Sequence, residues 1–248
     1  MTFLLSDYVT AGLIFLGAIL YSSVGHGGAS SYIAIMAIMG TPIASIKPIG
    51  LVLNIIVSSV ASYRFIKNKL FSLKVFFPVA IGSIPAAFLG GYIHLPSEAY
   101  RSLVGIILIF AGLQFLFNIF KNFEKKSNRP VNFLMGIFAG IIIGFVSGLT
   151  GTGGGIFLSP LIVFLGWTSV KGASGTAAAF ILFNSVAGLL GNITSVHLIP
   201  DTIFLYACAV LVGVFIGTQL GIKLFNESFM KKTLGLVLLI AGLKFIVS

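Results

Sequence analysis

Residues 148–166 read GLTGTGGGIFLSPLIVFLG, and residues 22–40 read SSVGHGGASSYIAIMAIMG. Each is a glycine-rich turn followed by a short apolar run, and the two lie 126 positions apart, with Gly25, Gly27, Gly28 and Gly40 falling on Gly151, Gly153, Gly154 and Gly166. The runs 30–40 and 155–166 are too short to cross a bilayer. Eleven or twelve residues of helix reach about 17 Å at 1.5 Å per residue, roughly half of the ~30 Å hydrocarbon core. Irregular backbone beside a half-length helix is tolerated at membrane depth only where it faces protein or water, because lipid offers its N–H and C=O groups no partner.

The surrounding sequence supplies that membrane. Hydrophobic residues make up 58% of the 248 and charged residues only 8%, against about 25% charged in a soluble domain. Ten apolar segments are read, at about 8–24, 30–40, 43–63, 74–93, 99–118, 131–148, 155–166, 171–191, 202–222 and 230–247. MTFLLSD at the start lacks a basic region, so the first segment is expected to stay in the mature protein. A single Cys208 excludes an internal disulfide. The net charge of +10 belongs to basic loops rather than to nucleic-acid binding. With sides alternating, one face receives Arg64, Lys67, Lys69, Lys74, Lys121, Lys125, Lys126, Arg129, Lys171, Lys223, Lys231 and Lys232, and the other only Lys47, Arg101 and Lys244. This bias makes the first face cytoplasmic and puts both termini outside the inner membrane.

The two halves resemble each other beyond the loops. At a shift of 130, AGLQF at 111–115 falls on AGLKF at 241–245 and Gly105 on Gly235, while Ser83, Ala87 and Gly91 fall on Gly213, Gly217 and Gly221. Small residues at every fourth position form a face on which helices approach closely, and Gly136, Gly140, Gly144 and Gly148 read as another packing face. Five segments per half is an odd number, so the second copy enters inverted. The expectation is an all-α polytopic membrane protein of two inverted five-segment repeats, 1–118 and 131–248, joined by a basic cytoplasmic linker at 119–130. Segments 1–2 and 6–7 are then broken or re-entrant hairpins whose tips meet near mid-depth. Inverted repeats with broken helices are a recurrent plan of secondary transporters.

A helix N-terminus preceded by glycines favours a small anion. Gly25, His26, Gly27, Gly28 and Ser30 on one tip, and Thr150, Gly151, Thr152, Gly153, Gly154 and Gly155 on the other, are the candidate binding residues, with Ser22, Ser23 and Ser31 as further hydroxyls. Glycines that merely permit tight packing are the alternative. Asn54 and Asn184 are amides in mid-segment, either glue between helices or cavity lining, and Ser174 and Thr176 open segment 8 towards the cavity. His26 is the candidate proton carrier; structural hydrogen bonding is its other reading. His94, His197 and Trp167 read as interfacial. Lys47 and Lys171 read as snorkelling, with a role in drawing anions inward as the lesser reading. The acids Asp7, Glu98, Glu124, Asp201 and Glu227 all lie near segment ends, which disfavours a cation site. There is no metal motif and no cofactor signature. Without a βαβ context or a GK[ST] P-loop an enzyme is not expected.

At GLTGTGGGIFLSPLIVFLG, at KGASGTAAAF (171–180) and at the weaker SSVGHGGASSYIAIMAIMG, the chain resembles the sulfite exporter TauE/SafE family over nearly its whole length. The resemblance implies a permease of the bacterial or archaeal cytoplasmic membrane for sulfite, organosulfonates or similar anions, with Gly151, Thr152, Gly153, Gly154 and Pro160 as matching positions. The first copy departs from the pattern, with Ala29 and Ala34 where the second has Gly155 and Pro160. Alternating access, protons as coupling ion and a lipid-bound homo-oligomer are compatible with this reading. A passive anion channel and a purely partner-binding membrane protein are its rivals.

Overall fold

In the computed structural model all regular structure among the described residues is helical; these are 4–117, 129–223, 235–236, 238–240, 242–243 and 245–247. The elements are α1 (Leu5–Ser23), α2 (Ala29–Ile38), α3 (Ile43–Lys67), α4 (Leu73–Tyr92), α5 (Ser97–Phe117), α6 (Phe133–Thr150), α7 (Gly155–Phe164), α8 (Val170–Gly191), a 3-10 turn (Ile193–Leu198) and α9 (Ile203–Lys223). Helical residues follow within Leu238–Val247. The linker residues 118–128, with Lys121, Glu124, Lys125 and Lys126, lie outside the described residues, as do Glu227, Lys231, Lys232 and Lys244.

Six helices (α1, α3, α4, α6, α8 and α9) are long and apolar enough to cross a membrane. The chain is a multi-pass membrane protein, and its surface agrees. Leu16, Phe77, Leu89, Phe138, Ile142, Phe204 and Phe215 are exposed on these helices, an apolar belt that suits lipid and would aggregate in water. Helices α2 and α7, ten residues each, are short. Their partners α1 and α6 are full-length, so within each pair it is the second helix alone that falls short of a crossing.

Glycine sets the length of both short helices. Gly28 (φ 97°) and Gly154 (φ 75°) are left-handed residues at the N-caps of α2 and α7. Gly40 (φ 81°) and Gly166 (φ 70°) stop the same helices. There Thr41 N–H donates to Met36 O (2.9 Å) and Trp167 N–H to Ile162 O (3.0 Å), with Gly40 and Gly166 closing the inner bonds to Ala37 and Val163. This is a six-to-one and five-to-two pair that satisfies the last carbonyls. The reversal at Gly166 also turns Trp167 inward. It is buried with Val75, Val79, Ile162 and Phe180, so it is a core residue rather than the interfacial anchor its sequence position suggests.

Small residues pack the long helices. Along α6, a Cβ on Gly136 would lie 2.7 Å from Pro78 Cβ and one on Gly144 2.6 Å from Ser83 Cα, while Gly140 and Gly148 abut Val79 and Ala87 of α4. A Cβ on Gly213 of α9 would lie 2.7 Å from Ala18 Cβ, and Gly217 and Gly221 abut Ile19 and Ser23 of α1. In α5, a Cβ on Gly105 would lie 3.0 Å from Gly242 O and one on Gly112 2.8 Å from Gly235 O. A backbone approach this close gives van der Waals contact where lipid removes the hydrophobic drive. At the centre α3 and α8 run antiparallel, with Leu51 near Gly188, Asn54 at Ser185 and Phe65 near Gly175.

Candidate anion site

The two glycine loops approach from opposite ends of the bundle and cross beside the middle of α3 and α8. Gly25 (φ 77°) lies against the backbone of Ser174, in the first turns of α8. Gly151 (φ 80°) lies against Lys47, in the first turns of α3, where a Cβ would be 3.2 Å from the lysine Cγ. At the crossing, Asn54 joins both. Its Oδ1 accepts from Ala29 N–H (2.9 Å), and its Nδ2 donates to Thr152 O (3.3 Å) and towards Ser185 Oγ (3.2 Å). Because the backbone partners offer one N–H and one C=O, the amide's two ends fit them without ambiguity.

His26 makes a second tie. Its Nε2 is 3.1 Å from Gly155 O, and a carbonyl only accepts, so this nitrogen carries the hydrogen. Side chains leave no room here. A Cβ at Gly27 or Gly153 would lie 2.8 Å from Ile181 Cγ2, and one at Gly155 2.7 Å from Ile181 Cγ1. Gly153 is also left-handed (φ 78°), a conformation that penalises any residue with a Cβ. The crossing is therefore filled by protein, and the Ala29 N–H, at the start of α2, is already engaged.

The remaining candidates divide. Thr150 Oγ1 donates to its own helix at Val146 O (2.8 Å) and lies 3.0 Å from Thr152 Oγ1. Ser30 is buried beside Tyr21. Thr176 lies away from the crossing, donating to Gly172 O (2.8 Å) and accepting from Ser72 N–H (3.2 Å). Asn184 bonds back to Phe180 O (2.8 Å). Its Oδ1, with Ser83 Oγ and Ser147 Oγ, is buried and without a hydrogen-bond partner among the described residues. So the structure gathers His26, Asn54, Gly27 and residues 152–155, and leaves Thr176 and Asn184 on other faces of α8.

What sequence reasoning passed over is a cavity of about 150 Å³ at the Lys47 end, lined by Lys47, His94, Ser97, Tyr100, Asn192 and Ser195 among others. Lys47 does not snorkel outward. It is buried, with Nζ donating to Gly91 O (3.0 Å) and Ile93 O (3.3 Å) at the end of α4. Tyr100 Oη donates to Thr150 O (3.0 Å), so the cavity floor is the end of α6 and the root of the second loop. The readable signal was a lysine followed by PIGLVLNIIV with no neighbouring acid. His94 Nε2 is 3.1 Å from Ser195 Oγ, whereas Lys171 and His197 are exposed. Among the described residues no cluster of metal-ligating side chains occurs.

The sequence matches the sulfite exporter TauE/SafE family over residues 10–245. Among curated proteins it is 35% identical to "Probable membrane transporter protein y4hK" of Sinorhizobium fredii over 232 residues, 93% of this chain and 94% of the relative. It is 26% identical to "Probable membrane transporter protein YjnA" of Bacillus subtilis over 94% of this chain and 96% of the relative. "Probable membrane transporter protein MJ0441" of Methanocaldococcus jannaschii is 26% identical over 73% of this chain and 69% of the relative. No solved structure matches the chain.

Proposed function

The chain belongs to the sulfite exporter TauE/SafE family, and from that premise we propose that it is a secondary transporter of small anions, sulfite or organosulfonates first among them, working by alternating access. The family and its relatives' names indicate a membrane transporter rather than an enzyme. The substrate and the cycle are our reading. The observation that carries it is the crossing itself: two loops of matching left-handed glycines, each opening a half-length helix, held together by one amide. Helix starts carry a partial positive charge and unpaired N–H groups, and glycines let an anion reach them.

In this reading residues 1–118 and 131–248 are inverted halves joined by the basic linker 119–130, with that linker cytoplasmic and both termini outside. The helix pairs support the inversion: α4 on α6 and α9 on α1 are the same pairing with the halves exchanged, as is Gly105 on Gly242 with Gly235 on Gly112. When the halves rock, Asn54 gives up the first loop, and the Ala29 N–H it releases takes the anion. His26 then turns its Nε2–H from Gly155 O to a substrate oxygen, and the proton is carried on the other ring nitrogen. Protons are the proposed coupling ion. A passive channel is the less favoured reading, because backbone and side chains fill the path at the crossing.

The test is flux of ³⁵S-labelled sulfite into proteoliposomes under an imposed pH gradient. Gly153→Val adds strain at a left-handed residue and a collision with Ile181, and is expected to reduce flux more than a hundredfold with normal membrane insertion. Wild-type flux in that variant removes the loop from the mechanism.

A further inference from the structure

We propose that the cavity at the Lys47 end is a distinct docking site for a small oxyanion, entered before the crossing and built around the Lys47 ammonium. A lysine ammonium has three N–H donors and no acceptor. Two are spent on Gly91 O and Ile93 O, and the third has no protein acceptor among the described residues. Nor does any carboxylate pair with Lys47 there, although Glu98 follows the cavity residue Ser97. An ionised group buried without a partner of opposite charge is costly, and one retained inside a membrane protein marks an ion path by default. The carbonyls at the α4 C-terminus offset part of that cost. They carry no net charge, so the site stays positive.

A second donor points to the same ligand. Asn192 lines this cavity and is buried, and its Nδ2 has no partner among the described residues. The amide is oriented by a relay: Ser195 Oγ donates to Asn192 Oδ1 (3.1 Å), and His94 Nε2, 3.1 Å from Ser195 Oγ, supplies the hydrogen that this oxygen can still accept. Lys47 and Asn192, each with an unspent donor, both line a space of about 150 Å³. Water takes about 30 Å³ of liquid volume, so the cavity admits several waters or one small oxyanion, and only the anion neutralises Lys47. The device is one-sided. Where Gly151 meets the Lys47 side chain, Gly25 meets the Ser174 backbone, so a buried lysine touches one loop and not the other, and its charge draws anions there.

The choice of sulfite and methanesulfonate as probes rests on the proposed function; the site itself does not. Thermal unfolding of the purified full-length protein, at constant ionic strength made up with gluconate, reads binding without flux. Wild type is expected to be stabilised by sulfite or methanesulfonate. Lys47→Met is expected to bind roughly ten- to a hundredfold more weakly, the range for losing a charged hydrogen bond, and Lys47→Arg to retain most of the effect. Gly153→Val is expected to keep the stabilisation while losing flux, which separates the site from the crossing. No stabilisation in wild type, or equal stabilisation in Lys47→Met, overturns the site whatever the flux shows. Stabilisation by phosphatidylglycerol with none by the free anions also overturns it, in favour of a lipid headgroup. Should Lys47→Met fail to fold, Asn192→Asp puts a carboxylate in the cavity, and undiminished anion stabilisation there is equally fatal. A Lys47-dependent shift in a protein that carries no anion leaves the site standing and defeats the transport reading.

Discussion

The loops at 24–28 and 151–154 share most of their backbone turns and differ in chemistry. Gly25 and Gly151, Gly28 and Gly154, and Gly40 and Gly166 are left-handed at matching positions, and α2 and α7 are both ten residues long. Yet the side chains that act at the crossing come from the first half: Asn54 clamps it, His26 ties it and Lys47 charges one end. The second half supplies mostly backbone, through Thr152 O, Gly155 O and the left-handed Gly153. Glycine preserves the repeated geometry, because few other residues adopt those torsions. Polar side chains are free to diverge, and two loops with similar glycine turns thereby carry different chemistry.

The largest effect is expected from removing the clamp. Asn54→Leu strands the Ala29 N–H and the Thr152 carbonyl, at about 1–3 kcal/mol for each buried unpaired group, and is expected to lower the unfolding temperature in detergent and abolish sulfite flux. If both survive, the two loops are not held by this amide. Next come the glycines, compared across the halves. Gly153→Ala meets both a left-handed torsion and Ile181, whereas Gly27→Ala meets contacts alone. The first is expected to reduce flux at least tenfold more than the second, and equal losses would mean that packing rather than backbone conformation distinguishes the loops.

His26 should show a smaller effect of a different kind. His26→Gln keeps a side-chain donor for Gly155 O but cannot titrate between pH 5 and 8. Flux within a fewfold of wild type, with a flattened pH dependence, is the expected result. An unchanged pH profile clears the residue of proton carriage and leaves it a positioning role. The mildest expected change is a redistribution: Lys47→Ser with Ser174→Lys moves the cation to the opposite end of the crossing. The KM for anion offered from the Lys47 side is expected to rise roughly tenfold, by about the worth of one charged hydrogen bond, and the KM from the other side to fall. Identical shifts on both sides would show that the lysine acts on the whole cycle rather than on one entrance.

Much of this was legible before any coordinates. The read segment 155–166 corresponds to a helix at Gly155–Phe164, and 202–222 to one at Ile203–Lys223, because apolar runs and glycine stops are local properties of the chain. The Gly136–Gly148 stripe was legible as a packing face for the same reason, its fourfold spacing being helical geometry. Lys47, Trp167 and Asn54 were not legible in this way. A lysine near a segment end looks alike whether it reaches for the headgroups or turns in towards two carbonyls, and the deciding partners, Gly91 and Ile93, are 44 and 46 residues away. Asn54 was one of two mid-segment amides, and only contacts 25 and 98 residues distant set it apart from Asn184.

By itself, then, the amino-acid order determined that this is a membrane-embedded bundle with two shortened helices, since apolarity and left-handed turns need no distant partner. The tertiary structure alone decided that the shortened helices' loops cross at one amide, and that a buried lysine and an unpartnered amide line one small cavity. Such pairings depend on where whole helices come to rest against one another, and hydrogen bonds, unlike hydropathy, act only between atoms that packing has brought within about 3 Å.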